Sequence, residues 1–513
     1  MNLLYGLRRA ALIEPDRAAV HDGPSTFTWR QFAGRVMQAA RALRTLGIGP
    51  GDRFAVLQLN SARYLELYYA AAAGGGVIVP CNTRWTTVDL AFALQDSGAK
   101  LICVDEQFLD VGRDLATRCL GLRVCFTSDG PEPSGVDLFE PLAGSLSTDP
   151  LDQEPAPGDL YGLFYTSGTT GGAKGVMLTQ ANIVANAYHV LIETRMSRDW
   201  IWLHSAPMFH LADGAFSFAL TLARGVHTFI PQFDPGEFLA AVERDRVTAA
   251  LLLPTMLNIV LSHPECAAAR ISTLKTIFYG GSPMPLDLLR RGLQRFDCNF
   301  WQAYGLTETS PILTLLGPEE HRAALEGGVK SAGRAVTGVE LAILDEQDHP
   351  LPPGVVGEIA ARGAIIMKGY WSRPVETAEA LRNGWFHSGD LGTLSPDGYL
   401  SVLDRKKDMI KTGGENVYTP EVEAVLYEHS AVLEATVIGI PDEKWGELVT
   451  AFIALRPGFT ATADELIDWC RGRLAGYKRP RRFVFVDQLP KSGAGKVQKR
   501  QLRETLKNEA GRP

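Results

Sequence analysis

Residues 165–176, Tyr-Thr-Ser-Gly-Thr-Thr-Gly-Gly-Ala-Lys-Gly-Val, combine four aliphatic hydroxyl groups with glycines and a single lysine. They continue Leu160–Tyr165, an apolar and aromatic run that predicts a buried strand. Glycines let backbone N–H groups turn inward as an anion nest, hydroxyls add donors, and Lys174 adds a positive charge. A surface linker is the alternative, but a linker would not follow a buried strand and carry one lysine. The stretch therefore predicts a loop that binds a polyphosphate.

The loop does not match the Walker pattern of P-loop nucleotide hydrolases. That pattern requires Gly-Lys-Ser/Thr, in which the last hydroxyl ligates magnesium. Here Ala173 precedes Lys174 and Gly175 follows it. A ligand for magnesium is therefore expected elsewhere in the chain.

Further motifs follow the loop along the chain. They are Pro207–His210, Gly280–Pro283, Gln302–Glu308, Gly384–Asp390, Asp404–Asp408, Gly413–Tyr418 and Gly493–Lys496. In this order the motifs resemble those of the adenylate-forming superfamily, which includes acyl-CoA synthetases, 4-coumarate–CoA ligases, peptide-synthetase adenylation domains and beetle luciferases. The resemblance covers essentially the whole chain and is strongest to bacterial fatty or aryl acyl-CoA synthetases.

The bulk composition is that of an ordinary soluble protein with more than one domain. The chain has 513 residues, 46% of them hydrophobic and 21% charged, and a formal charge of −7. Residues 471–513 contain 13 Lys and Arg against three Asp and Glu, a local charge of +10. Such a block suits phosphate-bearing ligands such as ATP or coenzyme A, and a solvated cationic face is the alternative. The block shows no recognised nucleic-acid motif, so we expect no nucleic-acid partner.

The cysteine pattern and the hydropathy predict a cytoplasmic protein. The seven cysteines are scattered without a CxxC pair or a metal-ligand spacing, which suits a reducing compartment. We expect no signal peptide, because no long apolar core follows Arg8 and Arg9, and no transmembrane segment. The ending Gly511–Pro513 is not a peroxisomal signal.

Two stretches, residues 52–128 and about 200–300, alternate strand patterns with helix patterns. This alternation predicts parallel sheets flanked by helices. The predicted strands are Arg53–Leu59, Val77–Pro80, Leu101–Val104, Arg123–Phe126, Trp200–Ser205, Val226–Phe229, Ala249–Leu253 and Thr276–Tyr279. Residues 129–157, rich in Pro, Gly, Ser and Asp, are predicted to be a loop.

The remainder of the chain completes a predicted α/β architecture. Short strand patterns separated by Pro-Gly and Asp-Gly turns over residues 335–403 indicate a small β-rich subdomain, and residues 404–408 are predicted to be a charged linker. We therefore predict a large N-terminal adenylate-forming, or AMP-binding, domain, residues 1–404, of two α/β subdomains plus the β-rich one. A small α+β C-terminal domain, residues 405–513, follows on a hinge, which the resemblance places at Lys407.

The resemblance implies a first reaction in which a carboxylate attacks the α-phosphate of ATP. A carboxylate is already ionised at pH 7, so the step needs charge neutralisation rather than a base. Glu308 would hold Mg²⁺, Thr307 would donate to a phosphate oxygen, and Lys496 would bridge the carboxylate and the α-phosphate. Taken alone, Lys496 reads as one solvated lysine in a basic tail. The β- and γ-phosphates would be wrapped by Thr166, Ser167, Gly168, Thr169, Thr170, Gly171 and Lys174.

The nucleoside would be recognised by residues of three other motifs. Asp390 would accept from the ribose hydroxyls, as acidic residues do in dinucleotide sites, and Arg405 would donate to the same ribose. Tyr304 would stack on adenine, although composition alone makes it a core residue. Close approach of the ring would be permitted at Gly280, Gly281 and Ser282.

The second implied reaction is attack of the coenzyme A thiol on the adenylate. The C-terminal domain would rotate about Lys407, which would move Lys496 out and bring residues 412–418 in. Gly413 and Gly414 would leave room for the pantetheine arm. A basic residue would meet the phosphates of coenzyme A, with Lys411, Lys478 and Arg479 as candidates. His210 would help to deprotonate the thiol, whose free pKa is about 8.5, or would serve as a wall or gate of the pocket.

Small or apolar residues are predicted to line the acyl pocket, which favours a medium- or long-chain fatty acid or an aromatic acid such as a hydroxycinnamate. Asp213 is the exception, because it would bind a hydroxyl or amine of the substrate or else face away. The predicted lining is Phe209, Asp213, Met256, Gly281 and Ala303.

Three rival functions remain open at this point. In the first, the acyl group is transferred to a carrier-protein phosphopantetheine rather than to coenzyme A. In the second, the protein is a luciferase-like oxygenase. In the third, it is a non-catalytic nucleotide- or acyl-binding protein. Two departures from the family pattern, Ala494 for a hydroxyl residue and Gly172-Ala173 where a proline is common, remove no charged group. We therefore predict an active enzyme, and a homo-oligomer is compatible with the sequence.

Overall fold

The computed structural model describes the chain except residues 1, 129–132, 153, 167–172, 328–330, 492–496 and 511–513 and the side chains of residues 507–510. The chain divides into two compact units. Residues 1–341 and 361–386 form the first unit, and residues 342–360 and 387–513 form the second. None of the helices in the described part is long and apolar enough to cross a bilayer.

Four of the helices begin at a threonine that forms a capping box. Thr28, Thr86, Thr179 and Thr462 each accept a hydrogen bond from the backbone N–H three residues later, and the side chain of that residue accepts in return from the threonine N–H. In chain order the α-helices are α1 Leu4–Ile13, α2 Trp29–Thr45, α3 Ala62–Ala70, α4 Thr87–Ser97, α5 Leu109–Arg118, α6 Phe139–Gly144, α7 Gln180–Thr194, α8 Leu211–Gly214, α9 Phe216–Ala223, α10 Pro235–Arg244, α11 Pro254–Ser262, α12 Leu286–Phe296, α13 Pro318–Leu325, α14 Pro374–Ala380, α15 Thr419–Tyr427, α16 Ala463–Cys470 and α17 Lys499–Ala510.

The strands coincide with the short apolar runs of the sequence. In chain order they are β1 Ala18–Asp22, β2 Ser25–Thr28, β3 Arg53–Leu57, β4 Val77–Pro80, β5 Leu101–Val104, β6 Arg123–Phe126, β7 Asp137–Leu138, β8 Leu160–Thr166, β9 Lys174–Thr179, β10 Ile201–His204, β11 Val226–Phe229, β12 Ala249–Leu251, β13 Thr276–Gly280, β14 Asn299–Tyr304, β15 Thr314–Leu316, β16 Arg334–Ala335, β17 Val339–Leu344, β18 Gly357–Gly363, β19 Gly369–Tyr370, β20 Phe386–Leu394, β21 Leu400–Arg405, β22 Ile410–Thr412, β23 Glu415–Val417, β24 Val432–Asp442, β25 Gly446–Leu455 and β26 Arg482–Phe485.

An eight-stranded sheet of the first unit has the order β19-β9-β8-β4-β3-β5-β6-β7. Its strands from β8 to β7 pair in parallel, whereas β9 is antiparallel to both β8 and β19. Phe54 and Val56 of β3 pack into one apolar cluster, and Ala55 and Leu57 pack into another. Both faces of the sheet are therefore covered, which explains why residues 54–57 of β3 are all apolar rather than alternating.

A nine-stranded sheet of the first unit has the order β16-β15-β14-β13-β12-β10-β11-β1-β2. The strands from β14 to β1 pair in parallel, and the antiparallel strands lie at the two edges. Trp202 of β10 stacks on Phe216 of α9 with their ring centroids 4.3 Å apart in the apolar core. Because β13 and β14 run in parallel, their carboxyl ends, and the motifs that follow them, meet at one edge.

The second unit contains two smaller sheets. One has the order β17-β18-β20-β21, and most of its residues belong to this unit. The other has the order β23-β22-β25-β24, with β26 in parallel with β25. An apolar cluster containing Val422, Val437 and Leu466 packs α15 and α16 against the latter sheet.

The predicted α/β architecture is confirmed, with two local corrections. Residues 129–157 contain strand β7 and helix α6, because Phe139 at the start of α6 is fully buried. Asp404 and Arg405 belong to strand β21 rather than to a linker. The compact units divide at residues other than 404, and the domain boundary with its hinge at Lys407 stays a prediction.

Candidate active site

The predicted polyphosphate loop connects two paired strands. Strand β8 leads into it and β9 leaves it, and the two are antiparallel neighbours with Thr166 opposite Lys174. Both residues thus lie at the loop end of a β-hairpin. Ser167, Gly168, Thr169, Thr170 and Gly171 lie outside the described residues, so their phosphate contacts stay a prediction.

Glu308, the predicted magnesium ligand, is held beside this hairpin by Tyr370. Glu308 follows β14 in a short 3₁₀ turn, residues 307–309, together with Thr307. The phenol of Tyr370 donates to Glu308 Oε1 at 2.8 Å, and the N–H of Met367 donates to the carbonyl oxygen of Glu308 at 2.9 Å. Burial, reinforced by the nearby carboxylate, raises the pKa of Tyr370 above its ordinary value. The phenol therefore keeps its proton and acts as the donor.

Lys174 meets the other side of the same tyrosine. Its Nζ lies 5.1 Å from the centroid of the Tyr370 ring, within the range of a cation–π contact. The structure thus brings together Lys174 and Glu308, which are more than a hundred residues apart in sequence, around one aromatic ring. Sequence reasoning missed Tyr370, and the short aromatic pair Tyr370-Trp371 is the only local signal of strand β19.

The motif residues after β13 and β14 converge because their strands are neighbours. Gly280 is opposite Ala303, and a Cβ atom on Gly280 would lie 2.5 Å from the carbonyl oxygen of Ala303. No side chain fits there, which explains this glycine. Gly281 has a φ of +73°, and both Gly281 and Ser282 are exposed. Tyr304, the last residue of β14, is half-buried at the same edge of the sheet.

Asp213 is embedded in the core by a chain of hydrogen bonds. The indole N–H of Trp202 lies 3.1 Å from Asp213 Oδ1, and Nδ1 of His204 lies 2.7 Å from Oδ2. Nε2 of His204 lies 3.1 Å from Nδ1 of His227, and Nε2 of His227 lies 3.1 Å from the hydroxyl of Thr221. With both rings neutral, the donors run consistently from Thr221 to Asp213. Burial, followed by the neighbouring ring of His204, lowers the pKa of His227 well below its ordinary value.

This buried chain, Thr221–His227–His204–Asp213, decides between the two roles open to Asp213. The carboxylate is fully buried and each oxygen already has a donor. The geometry favours the alternative in which Asp213 faces away from the substrate, and we do not retain it for the acyl pocket. Phe209 and Met256 are buried apolar residues.

His210 caps the short helix α8. Its Nδ1 accepts a hydrogen bond from the N–H of Ala212 at 3.1 Å. In a neutral ring the proton then sits on Nε2, so that nitrogen is a donor and does not accept a proton from a thiol. The geometry therefore favours the role of pocket wall or gate over that of a base.

In the second unit, the two residues predicted to hold ribose lie on adjacent strands. Asp390 of β20 is opposite Arg405 of β21, and Nε of Arg405 lies 3.6 Å from Oδ1 of Asp390. That separation exceeds a hydrogen bond and leaves a weak ion pair. The pair thus places a buried carboxylate beside an exposed guanidinium.

Residues predicted for the second half-reaction have local structural roles. Gly413 and Gly414, with φ of +59° and +85°, form the two-residue turn between β22 and β23, where positive φ at both positions favours glycine. Lys478 donates to both carboxylate oxygens of Glu421, at 2.7 and 2.8 Å. Desolvation, with Arg405 and Arg503 nearby, lowers the pKa of Lys407 to about 8. Lys496 lies outside the described residues.

A magnesium ion fits the donors around Glu308. Tyr370 occupies one carboxylate oxygen, and within the described part of the chain no hydrogen bond or ion pair engages the other. Mg²⁺ typically takes one or two carboxylates and completes its shell with water and substrate phosphates. One oriented carboxylate near the loop end of the β8–β9 hairpin meets this requirement.

Comparisons with known proteins place the chain among enzymes of one kind. The model of the AMP-binding enzyme family matches residues 7–371, and that of the AMP-binding enzyme C-terminal domain matches residues 421–496. The chain is 40% identical to a feruloyl-CoA synthase of an Amycolatopsis species, over 96% of this chain and 97% of the relative. It is 35% identical to the fatty acid–[acyl-carrier-protein] ligase ScoC of Streptomyces coeruleorubidus, over 97% and 95% of the two chains.

The fold also has solved counterparts. The o-succinylbenzoate CoA synthetase of Bacillus subtilis, in complex with its acyl-adenylate intermediate, superimposes with a TM-score of 0.85 at 30% identity, over 97% of each chain.

Proposed function

Since the chain belongs to the family of AMP-binding enzymes, we propose that it activates a carboxylic acid at the loop end of the β8–β9 hairpin. The activity is that of an acid–thiol ligase that uses ATP, Mg²⁺ and coenzyme A. A carboxylate oxygen bonds to the α-phosphorus of ATP and pyrophosphate leaves. The thiol of coenzyme A then attacks the acyl carbon of the adenylate, and AMP leaves.

The observation that carries the assignment of the site is the convergence of Lys174 and Glu308 on Tyr370. An anion that approaches a polyanion requires positive charge where the phosphates lie, and Lys174 stands where the loop ends. Bound Mg²⁺ would supply further neutralisation, and Glu308 would hold it through the oxygen that Tyr370 leaves open. Thr307, on the same turn, would donate to a phosphate oxygen.

The remaining roles follow the family positions of the residues. Asp390 and Arg405 would hold the ribose, Tyr304 would stack on adenine, and Lys496 would steady the attacking carboxylate. Rotation about Lys407 would then exchange Lys496 for the turn at Gly413 in the second half-reaction. The register that pairs Asp390 with Arg405 supports the ribose role, because it places an acceptor and a donor for hydroxyl groups side by side.

We infer an aromatic acid of the hydroxycinnamate type as the first choice of substrate, and a medium- or long-chain fatty acid as the second. The 40% identity to a feruloyl-CoA synthase supports the first, and the fatty-acid ligase relative supports the second. The burial of Phe209 and Met256 fits an apolar acyl group in either case. Without Asp213, the predicted lining of the acyl pocket contains no charged side chain.

The test is pyrophosphate release with ATP, Mg²⁺ and a panel of ferulate, coumarate, benzoate and fatty acids, with and without coenzyme A. We expect acid-dependent release that is fastest with hydroxycinnamates and that turns over faster with coenzyme A. Glu308→Gln, which keeps the size but loses the charge, is the matched control and should be nearly inactive at low Mg²⁺. No release with any acid would contradict the proposed function.

The carrier-protein acceptor is the second candidate, and the 35% identity to a fatty acid–[acyl-carrier-protein] ligase favours it. Mass spectrometry of thioesters formed on coenzyme A and on a phosphopantetheinylated carrier protein separates the two. A product on the carrier alone would replace coenzyme A as the acceptor. We further infer a cytoplasmic enzyme, because all seven cysteines are buried free thiols, as a reducing compartment maintains them.

A further inference from the structure

Tyr370 contacts two oppositely charged groups of the proposed site at once. Its hydroxyl donates to Glu308 Oε1 at 2.8 Å, and its ring centroid lies 5.1 Å from Nζ of Lys174. All three side chains are half-buried. Among the residues that the structure describes, no ion pair joins Lys174 to Glu308. The tyrosine thus contacts the carboxylate with its hydroxyl and the ammonium with its ring.

Hydrogen bonds hold the backbone around Tyr370 on both sides. We call residues 367–373 the strap. Within it, the N–H groups of Lys368 and Trp371 donate to the carbonyl oxygens of Met177 and Gly175 of β9, at 2.9 and 2.8 Å. The N–H of Tyr370 itself donates to the hydroxyl of Thr377 at 2.9 Å. The strap therefore fixes the tyrosine to the strand that carries Lys174.

The carboxylate of Asp96 anchors the far end of the strap. Arg373 donates to Asp96 Oδ1 at 2.8 Å, and Tyr165 of β8 donates to Oδ2 at 2.7 Å. The indole N–H of Trp371 donates to the Asp96 carbonyl oxygen at 3.0 Å. Both strands of the phosphate hairpin are thus tied to the strap, β8 through Tyr165 and Asp96 and β9 through the backbone. A side chain held this firmly is suited to orient its neighbours.

We propose that Tyr370 is a positioning residue of the ligase: its hydroxyl orients Glu308 for Mg²⁺, and its ring positions Lys174 for the phosphates. The inference rests on the proposed function of Glu308 and Lys174. Tyr370 acts through these two groups rather than on the reacting atoms. Outer partners of metal ligands typically contribute tenfold or more to metal affinity.

Two variants separate the two contacts. Tyr370→Phe removes only the hydroxyl and keeps the ring beside Lys174, whereas Tyr370→Leu removes both. Tyr161→Phe is the matched control, because the Tyr161 hydroxyl donates to the carbonyl oxygen of Tyr68 in the core at 3.2 Å. The readout is calorimetric binding of the unreactive analogue α,β-methylene-ATP at several Mg²⁺ concentrations, which needs no acid and no turnover.

We expect Tyr370→Phe to raise the Mg²⁺ concentration at half-saturation by about tenfold, and Tyr161→Phe to leave it unchanged. In a Glu308→Gln background, Tyr370→Phe should cause no further shift, because its partner is already altered. Tyr370→Leu should weaken analogue binding at saturating Mg²⁺ by a further two- to fivefold, roughly the scale of a cation–π contact. That additional loss should vanish in a Lys174→Met background.

The proposal fails if Tyr370→Phe leaves the Mg²⁺ dependence unchanged, or if its effect is the same with and without Glu308→Gln. It also fails if the wild-type enzyme binds the analogue equally well without Mg²⁺. The proposed function fails separately, when the wild-type enzyme releases no pyrophosphate with any acid. Because Tyr370→Phe removes a single oxygen atom, it should fold even if Tyr370→Leu does not, and thermal unfolding of each variant checks this.

Discussion

Two polar clusters of the first unit, the buried chain around Asp213 and the group around Tyr370, have similar components. They differ in how far their polar atoms are engaged. In the buried chain Thr221–His227–His204–Asp213, every polar atom of the carboxylate has a donor and no atom reaches solvent. Around Tyr370, Glu308 has one oriented oxygen and one that no described residue engages, and Lys174 contacts the face of the Tyr370 ring. A saturated cluster stabilises the protein, whereas an oriented but unsaturated one is available to a ligand.

This contrast shows that a charged residue in a motif region is not by itself a substrate contact. Asp213 lies close to the Pro207–His210 motif in sequence, yet its carboxylate belongs to the core. Changes to the unsaturated site should therefore alter chemistry with little effect on folding, and changes to the saturated chain should do the reverse. The predictions below test this distinction.

The largest effect is expected for Lys496→Ala. Loss of one preorganised charge donor should slow adenylate formation about 100-fold or more, measured as pyrophosphate release at saturating acid. Thioester formation from supplied acyl adenylate should continue at the wild-type rate, because the proposed rotation about Lys407 would move Lys496 out for that step. Lys491→Ala, which removes a partner of Glu434 instead, is the control. Equal loss in both half-reactions would contradict the domain rotation.

Asp213→Ala should act on stability. It leaves the indole N–H of Trp202 and Nδ1 of His204 without acceptors in the core, at a cost of roughly 2–3 kcal/mol in the free energy of unfolding. Urea denaturation of the wild type and the variant measures it. The KM for ATP should stay unchanged while the protein remains folded. A variant of full stability with altered acid preference would return Asp213 to the acyl pocket.

Asp390→Ala should weaken ATP binding about tenfold, roughly the scale of hydrogen bonds to a charged acceptor. Thermal unfolding of the variant checks that it remains folded. Calorimetric titration with ATP and with 2′,3′-dideoxy-ATP checks the role, because the variant should no longer discriminate between them. Retained discrimination would contradict the ribose assignment.

The smallest effect is a pH dependence of stability from His227. Its folded pKa lies well below that of the unfolded chain, about 6.5, so the folded state binds fewer protons. Its contribution is complete above pH 6.5 and is lost as the pH falls below that value. Between pH 7.5 and 5.5 the wild type should lose about 1.4 kcal/mol more than His227→Gln.

Much of the fold followed from local pattern. Strands β4, β5, β6 and β11 occur at the predicted residues, because short apolar runs between turn residues have few other solutions. The short elements β7 and α6 were not predicted. The Pro- and Gly-rich composition around them indicates a loop, and the burial of a single side chain, Phe139, leaves no pattern in the sequence. The family and its chemistry were also accessible, because glycine, hydroxyl and lysine spacing reflects what phosphate binding demands.

By itself, the sequence determined the buried strand that leads into residues 165–176, the order of the motifs and therefore the family. Burial, turn geometry and phosphate chemistry each depend on residues that are near one another along the chain. The tertiary structure alone decided that Tyr370 contacts both Glu308 and Lys174, and that Asp213 joins the core. Those contacts depend on which strands become neighbours and in which register, because pairing β19 with β9 unites residues almost 200 positions apart.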